Sequence, residues 1–454
     1  MGTANREFSI SKKLTRFCSS KRYKAALLAV LGAAACLFMS GCQYGSEAPG
    51  AASVLAEKTW YVSSDASSDD LMDGSEDHPF REIQDAVDAA SGGDTICVGS
   101  GNYQPFEVGS RLSGSEEGQT IICAAEGAVP VILPDDSATG DAADSTAISL
   151  SDISHVTVKG FEINGGGAGI VFRSSEAVPD DAGTGLSFEG ICIEDCYIHD
   201  IKGVHGIAFY SANAYAPVTD LVIKNCRICR CELGDSEALV LNGNIDGFEI
   251  CGNIVSSCDN IGIDMAGFEG TALLPESSGE NIYKYDRPIN GIVHGNTVSD
   301  ISSYGNSAYW DGSSYSLAAD GIYSDGGSYI KIYDNEVRNC DIGIEVATEH
   351  DISENELFYV TDVEVYENNI SDCSGFAGLC IGGYDSDRGF TVNSDFHDNV
   401  LDGNAIQIFI QRSRGCKIRD NVLKNSSETI VFSDAFPPSE MDNEISGNEI
   451  SGND

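Results

Sequence analysis

Acidic side chains crowd the stretch between positions 264 and 387, and they are the first residues in this chain that suggest chemistry. The residues concerned are Asp264, Glu269, Asp320, Asp325, Glu345, Glu349, Asp385 and Asp387. Carboxylates held side by side repel one another, raise one another's pKa, or bind a hard cation such as Ca²⁺ through their oxygens. Because the chain holds 71 Asp and Glu residues, some clustering arises by chance. The prediction of a site therefore depends on a scaffold that brings these residues together.

A short repeat supplies such a scaffold. It reads GFEICGNIVSSCDNIGIDMA at 247–266, YIKIYDNEVRNCDIGIEVA at 329–347 and DVEVYENNISDCSGFAGLCIGG at 362–383. Each copy holds two or three segments that alternate apolar and polar residues, separated by Gly or Asn turns, with no room for a helix. A unit of this length cannot bury its apolar face alone, so neighbouring copies must stack. The pattern predicts an all-β fold, a parallel β-solenoid of about ten or more coils.

Aligning the coils on Gly–Ile–x–Val predicts which residues point outward from one sheet. The outward stripe is Val171, Ala208, Val240, Asp264, Tyr323, Glu345, Cys380 and Gln407. Asp264 and Glu345 fall two coils apart, which predicts about 10 Å between their backbones. Asp325 lies on the same face as Tyr323, and the residues just before the Gly of three coils are His205, Glu237 and Asp320.

Two further residue types recur at fixed positions of the repeat. Asparagine stands at one turn, at Asn225, Asn253, Asn296, Asn335, Asn368, Asn399, Asn421 and Asn448. Since Asn tolerates the left-handed conformation and can bond to a stacked neighbour, we interpret this ladder as structural. Cysteine shares one position with isoleucine, at Cys231, Cys258, Cys340 and Cys373, which predicts a ladder of buried thiols.

Insertions into the repeat cluster around the acidic coils. Segments 267–289, 348–361 and 384–394 follow the strands of Asp264, Glu345 and Cys380, so they should leave one corner of the solenoid and wall the same patch. A fourth insertion, 302–319, precedes Asp320 and carries Tyr304, Tyr309, Trp310 and Tyr315. Exposed aromatic rings beside carboxylates suit stacking on sugar faces, although these rings could equally pack the loop onto the solenoid. Tyr323, Trp310, Tyr309 and Asp320 are the predicted substrate-binding residues.

The N-terminus predicts export and anchoring. A basic segment precedes an apolar stretch at 25–38 that is too short for a comfortable membrane span. It ends in Met39-Ser40-Gly41-Cys42, which resembles a bacterial lipobox and implies cleavage before Cys42 and acylation of its thiol. We therefore expect a lipoprotein signal peptide at 1–41, a tether at 42–58, and a location in the cell envelope facing outside; plain secretion is the alternative.

Residues 59–108 parse as a strand, an acidic turn, a helix near 83–90 and a strand at 95–98. This resembles the opening segment of bacterial right-handed parallel β-helix proteins, in which a short helix caps the open end of the solenoid. Capping is required because a terminal coil is otherwise an unpaired sheet edge. With the repeats, the resemblance extends to the pectate-lyase-like superfamily. It implies a cap and first strands at 59–110 and a right-handed parallel β-helix at 111–454.

Two mechanisms fit the acidic patch, and both make the protein carbohydrate-active; the leading prediction is a polysaccharide lyase-like enzyme that acts on an acidic glycan with Ca²⁺. In a lyase, Ca²⁺ on Asp264, Asp325 and Glu345 would acidify the proton next to a uronate carboxylate. Lyases of the resembled fold use Lys or Arg as the base, and the candidates here are Lys284, Arg287 and Arg388. In a glycoside hydrolase, Asp264 and Glu345 would act as acid and base. A non-catalytic adhesin or glycan-binding solenoid is the alternative from another class.

Charge limits the partners. The formal net charge is −45, which excludes nucleic acid, because phosphate binding requires clustered Lys and Arg. It also means that a polyuronate would be repelled unless cations bridged it to the protein. We expect a monomer that binds a polysaccharide or cell-surface glycan and contacts the membrane through Cys42.

Overall fold

The computed structural model is a right-handed parallel β-helix, as predicted. It describes residues 57–67, 71–134, 145–178, 182–383, 388–434 and 438–452. The predicted signal peptide, Cys42, and nearly all of the tether lie outside the described residues, as do Asp385 and Asp387. Within the described part of the chain, no helix is long and apolar enough to cross a membrane.

Three long parallel sheets run the length of the solenoid, and the chain visits them in the order A, B, C in each coil. The strands of sheet A are Thr59–Val62, Thr95–Val98, Thr120–Ala124, Val156–Lys159, Phe188–Glu189, Ile191–Glu194, Val218–Thr219, Leu221–Lys224, Ile245–Cys251, Pro288–His294, Lys331–Tyr333, Glu364–Tyr366, Asp395–His397, Lys417–Arg419 and Glu444–Ser446. Those of sheet B are Gly101–Tyr103, Pro130–Ile132, Glu162–Asn164, Tyr197–His199, Arg227–Cys231, Ile254–Cys258, Thr297–Ile301, Glu336–Arg338, Asn369–Ser371, Val400–Asp402, Val422–Lys424 and Glu449–Ser451. Those of sheet C are Phe106–Val108, Thr146–Ser151, Ala168–Arg173, His205–Ser211, Leu239–Gly243, Ile263–Ala266, Asp320–Asp325, Ile342–Ala347, Ala377–Ile381, Ile406–Ile410 and Glu428–Phe432.

The remaining elements are short. Strands Val360–Thr361, Thr391–Val392 and Ser413–Arg414 form a small fourth sheet. The α-helices are Ile83–Ala89 and Pro438–Met441, and 3₁₀ turns occur at Ser110–Leu112, Glu276–Ser278 and Ser307–Tyr309.

The core consists of inward rows of apolar side chains, one residue per coil. In sheet A, Ile250 pairs with Val293, which pairs with Ile332 and so on along the axis, and these side chains are fully buried. Residues alternate inward and outward along each strand because the pleat has a period of two. The repeated cysteines Cys231, Cys258, Cys340 and Cys373 lie in this core as free thiols, which confirms that their position points inward.

The asparagine ladder is present, with one correction. Each rung from Asn253 to Asn421 donates its backbone N–H to the Oδ1 of the next rung, as in Asn335 N to Asn368 Oδ1 at 3.1 Å. Asn225 is not a rung: Cys226 takes that place and donates its N–H to Asn253 Oδ1. The residue with a left-handed φ is the one just before each rung, for example Asn225 (55°) before Cys226 and Asp334 (52°) before Asn335. The ladder asparagines therefore provide hydrogen bonds and do not themselves adopt the left-handed conformation.

The helix Ile83–Ala89 lies at the N-terminal end of the solenoid, as the sequence predicted. It buries Ile83, Ala86 and Val87 against the first strands. Arg111 donates to the backbone oxygens of Val87 and Ala90 at the C-terminus of this helix, where a cation is favoured.

Candidate active site on the outer face of sheet C

The outward stripe of sheet C forms the floor of the candidate site. Val240 pairs with Asp264, Asp264 with Tyr323, Tyr323 with Glu345, and Glu345 with Cys380. The repeat alignment predicted this register, including the two-coil separation of Asp264 and Glu345. It was wrong at the next coil, where Phe409 pairs with Cys380. Gln407 lies two residues earlier, buried, and accepts a hydrogen bond from Asn404.

Three buried carboxyl groups on this floor have oxygens that receive no hydrogen bond. Asp264 and Asp320 are 2% exposed and Glu345 is 1% exposed. Neither oxygen of Glu345, nor Oδ1 of Asp264 or Asp320, receives a hydrogen bond. Such a group is costly unless it is protonated or binds a cation. After burial, the charge of Glu345 is the largest cause that raises the pKa of Asp320, so ionisation of one group disfavours ionisation of the other.

Burial and the charges of neighbouring acids raise the pKa of Asp264, Asp320 and Glu345. Burial raises the pKa of Glu345 to about 8, and the charge of Glu349 adds to the effect. The pKa of Asp264 lies well above its usual range, first because of burial and then because of Glu237, Glu349 and Glu269. Asp320 is shifted in the same direction by burial and by Glu345 and Asp264. Glu345 therefore holds its proton at neutral pH, and the raised pKa values of Asp264 and Asp320 favour their neutral forms.

One wall of the site is built from the two insertions that follow the Asp264 and Glu345 strands. Asn281 and Asn355 exchange side-chain amide hydrogen bonds of 2.7 and 3.2 Å between these loops. The ring of Phe358 packs against Phe268, Tyr283 and His350, at centroid distances of 5.1, 5.0 and 4.8 Å. The predicted convergence of these two insertions at one corner is thus confirmed.

Asp286 shapes the first of these loops from inside. Its carboxylate is fully buried and accepts backbone N–H bonds of 2.7 Å from both Gly270 and Ala272. The loop therefore has a fixed conformation next to the floor, since these bonds would be lost if it moved.

A second group of acids lies at the rim of this wall. Glu269, Asp325 and Glu349 each place one carboxylate oxygen within 4.8 Å of the others, a spacing that could hold a metal ion. Asp325 is 4% exposed and accepts the Glu349 backbone N–H at 2.9 Å, while Glu269 and Glu349 are exposed. The predicted metal ligands Asp264, Asp325 and Glu345 do not form such a group. The loops bring Glu269 and Glu349 to Asp325 instead.

The opposite wall is the insertion 302–319. Asn306 fastens it to earlier turns by donating to the backbone oxygens of Gly234 and Asp259, at 2.7 and 2.9 Å. Tyr309 donates to Asn260 Oδ1 at 2.8 Å. Burial raises the pKa of its hydroxyl group, and the charges of Glu349 and Glu237 add to the effect, so Tyr309 lies within the field of the acids.

The predicted aromatic cluster divides into two parts. Tyr309 lines the site, whereas Trp310, 43% exposed, packs on Tyr315 with the ring centroids 4.8 Å apart, and Tyr304 joins Tyr315 at 5.2 Å. The three outer rings form an exposed platform on the wall. Tyr323 is a floor residue, buried against Ile261 and Ala347 between the two acidic coils.

Two of the three predicted bases, Lys284 and Arg287, have side chains engaged with other groups. Lys284 forms an ion pair with Glu280 on the exposed face of its loop, and this partner raises its pKa to about 12. Arg287 stacks on Phe268 and Tyr359 and donates to Ser328 Oγ and Tyr359 O at 3.2 Å. Arg388 is half-buried, and its backbone oxygen accepts from Gln411 at 3.3 Å.

Glu237 belongs to the site although the sequence analysis did not include it in the patch. Burial and the charges of Glu269 and Glu349 raise its pKa to about 8. Next to it, His205 contacts Glu237 O at 3.1 Å and Tyr210 Oη at 2.6 Å, and burial lowers its pKa to about 4. Glu237 shares with His205 and Asp320 the alignment position two residues before the first apolar residue of Gly–Ile–x–Val, and this was the signal that could have identified it.

Comparison with known proteins supports the fold and defines the family. The chain is 32% identical to the Bacillus subtilis (strain 168) protein YwoF, described as uncharacterized, over 348 residues that cover 75% of this chain and 68% of that protein. It belongs to the family of YwoF. Residues 275–454 also match the NosD family, described as a periplasmic copper-binding protein.

Solved structures show the same architecture at low sequence identity. A selenomethionine form of the GH136 lacto-N-biosidase from Eubacterium ramulus matches with a TM-score of 0.59 and 16% identity, over 87% of this chain and 68% of that one. Pectate lyase Pel9A matches with a TM-score of 0.48 and 12% identity, over 84% and 78% of the two chains. The match to the lacto-N-biosidase supports the right-handed parallel β-helix fold of this chain.

Proposed function

We propose that this protein hydrolyses glycosidic bonds with the carboxyl groups on the outer face of sheet C. One observation carries the proposal: Asp264, Asp320 and Glu345 are buried between two loop walls with oxygens that no donor satisfies. A structural role would leave these oxygens bonded, since buried polar groups without partners destabilise a fold. Raised pKa values in a cleft are also typical of catalytic acids.

Glu345 is the proposed general acid. With its pKa raised to about 8, it is protonated at neutral pH and can give its proton to the leaving oxygen. Asp264, two coils away, is the proposed base. The backbone separation of about 10 Å supports an inverting reaction, in which water stands between the two carboxyl groups.

We propose that a cation at the rim favours the ionised form of Asp264, which a base requires. Glu269 and Glu349 are among the charges that raise its pKa, and both belong to the rim group with Asp325. Ca²⁺ bound there would neutralise these charges and lower the pKa of Asp264, so that it ionises as a base must. The proposed Ca²⁺ thus tunes the hydrolytic pair from the rim.

Elimination is the weaker candidate. It requires a base beside the substrate, whereas Lys284 pairs with Glu280 and Arg287 packs between aromatic rings. The charges that act most strongly on Asp264 and Glu345 are carboxylates. The net charge of −45 also disfavours a polyuronate, so we propose a neutral or weakly charged glycan that stacks on the Trp310 platform. Hydrolysis on this fold has a precedent in the structurally similar GH136 lacto-N-biosidase.

We further propose that the protein works outside the cytoplasm as a monomer attached to the membrane through Cys42. The description of the NosD family as periplasmic and the lipobox-like sequence support this location. Incorporation of labelled palmitate that is lost in Cys42→Ser would support the anchor, and unchanged labelling would refute it.

The test of the activity uses a soluble form that begins after Cys42. It is incubated with neutral and uronate-containing glycans, with Ca²⁺ or with chelator, while new reducing ends and ultraviolet absorbance of unsaturated products are recorded. We expect reducing ends without absorbance, lost in Asp264→Asn and Glu345→Gln and retained in the control Glu336→Gln, whose side chain is 56% exposed on sheet B. Absorbance would show a lyase. Glycan binding that survives both site variants, without turnover, would show an adhesin.

A further inference from the structure

A second cluster of ligand-type side chains lies on the outer face of sheet A, away from the carboxylate floor of sheet C. Glu249 and Cys251 are two residues apart on the strand Ile245–Cys251, so both point outward. His294 pairs directly with Cys251 on the next strand. One oxygen, the sulfur and one ring nitrogen of these residues lie within 4.8 Å of one another, and Glu249 Oε1 is 2.8 Å from His294 Nε2.

The imidazole is held in place by its neighbours. The His294 ring stacks on Tyr333 at 8° with 5.0 Å between centroids, and Tyr333 stacks in turn on Tyr366 at 11° and 4.9 Å. A stack along three coils limits rotation of the ring, so a ligand atom is presented at low entropic cost. All three donor residues are half-buried, which leaves one side of the group open to solvent.

We propose that Glu249, Cys251 and His294 bind a borderline-soft divalent metal ion of the Zn²⁺ type. One thiolate, one imidazole and one carboxylate are ligands that Zn²⁺ accepts, and three protein ligands leave a fourth position for water or another ligand. This group does not suit Ca²⁺, because Ca²⁺ prefers sets of six or more oxygen ligands. The rim group of Glu269, Asp325 and Glu349 is the contrasting all-oxygen set.

Cys251 can bind the metal ion only as the ionised thiolate. Burial, and then the charge of Glu249, raises the pKa of Cys251 to about 11, so the thiol is protonated at neutral pH. Binding of a metal would expel that proton to solvent and form the metal–sulfur bond, with no change in oxidation state. On binding, Glu249 and His294 would each bond to the ion, and these two bonds would replace their present contact with each other.

Nothing in the comparisons assigns these ligands. The part that matches the NosD family begins at residue 275 and contains His294, but neither Glu249 nor Cys251. The inference also does not depend on the proposed hydrolysis, since the two sites lie on different sheets of the solenoid.

The test titrates the full-length reduced protein with Co²⁺, because a cobalt–thiolate bond gives a near-ultraviolet charge-transfer band that carboxylate sites cannot produce. Zn²⁺ should bleach this band by displacing Co²⁺. We expect the band in the wild-type protein, its loss in Cys251→Ser, and at least about tenfold weaker binding in His294→Gln and Glu249→Gln.

Two matched controls come from the same face of sheet A. Cys192 lies near Glu194, with 4.0 Å between sulfur and oxygen, but its neighbours across the strands are Thr157 and Val222. His397 has a carboxylate partner, Glu364 at 3.3 Å, and stands beside Tyr366 rather than a thiol. Cys192→Ser and His397→Gln should keep the band. A band that is absent from the wild type, that survives Cys251→Ser, or that disappears equally in Cys192→Ser would overturn the proposal.

Discussion

Replacement of Glu345 by Gln should stabilise the protein, and more so as the pH rises. Burial raises the pKa of Glu345 from 4.5 to about 8, so the folded state favours the neutral carboxyl group. Its contribution to stability is fully present below the pKa of the unfolded chain and is lost as the pH rises toward 8, where the unfolded chain gains by ionising. Gln has nearly the same shape, does not ionise, and can donate to Asp320 Oδ1, which has no donor in the wild type.

The magnitude follows from this pKa. Relative to a neutral side chain, Glu345 costs the folded state about 1 kcal/mol at pH 5 and about 4 kcal/mol at pH 8. The unfolding free energy of Glu345→Gln should therefore exceed that of the wild type by about 3 kcal/mol more at pH 8 than at pH 5. Denaturant unfolding followed by far-ultraviolet circular dichroism at both pH values measures this difference. Glu336→Gln, at an exposed position of sheet B, is the control and should change little between the two pH values.

The same variant separates stability from function, because it should abolish hydrolysis while it strengthens the fold. A Glu345→Gln protein that is equally or less stable than the wild type at pH 8 would show that Glu345 is ionised and paired. The raised pKa, and with it the role of general acid, would then be wrong.

Three further predictions concern the ladder, the wall and the rejected base. Asn368→Ala should lower stability by about 1–3 kcal/mol, since it leaves buried donors of Asn335 without their acceptor; an unchanged melting temperature would contradict the ladder. Asn281→Ala and Asn355→Ala should show a coupling energy of about 1 kcal/mol in a double-mutant cycle for stability, and simple additivity would show that the two loops do not hold each other. Lys284→Ala should leave glycan turnover within about twofold of wild type, because an exposed ion pair contributes little; a loss of tenfold or more would reinstate elimination.

The periodic parts of the molecule could be predicted from sequence, and the aperiodic parts could not. Asp264, Tyr323 and Glu345 were placed correctly because every coil repeats one register, so a single alignment fixes which side chains stack. The same alignment failed for Gln407, where two isoleucines, Ile406 and Ile408, allow two registers that differ by a two-residue slip.

Loop residues carried no such signal. Glu269 and Glu349 are nearest neighbours of Asp325 only because aromatic packing around Phe358 folds two insertions together. Lys284 looked like a base because lysine is scarce, yet its loop turns it toward Glu280 and solvent. The position of a side chain in an insertion depends on tertiary contacts that neither spacing nor composition records.

The solenoid itself accounts for the unusual protonation of the site. Coils lie about 4.8 Å apart, so carboxylates on adjacent outward positions cannot all ionise, and those buried by walls ionise least. Tyr323 occupies the coil between Asp264 and Glu345 and keeps them one coil further apart, while Asp320 approaches Glu345 from the same strand as Tyr323. The arrangement yields two carboxyl groups on neighbouring strands, Asp320 and Glu345, and a third, Asp264, on the far side of Tyr323. An acid and a base with different proton affinities require this asymmetry, and a regular stack of identical carboxylates could not provide it.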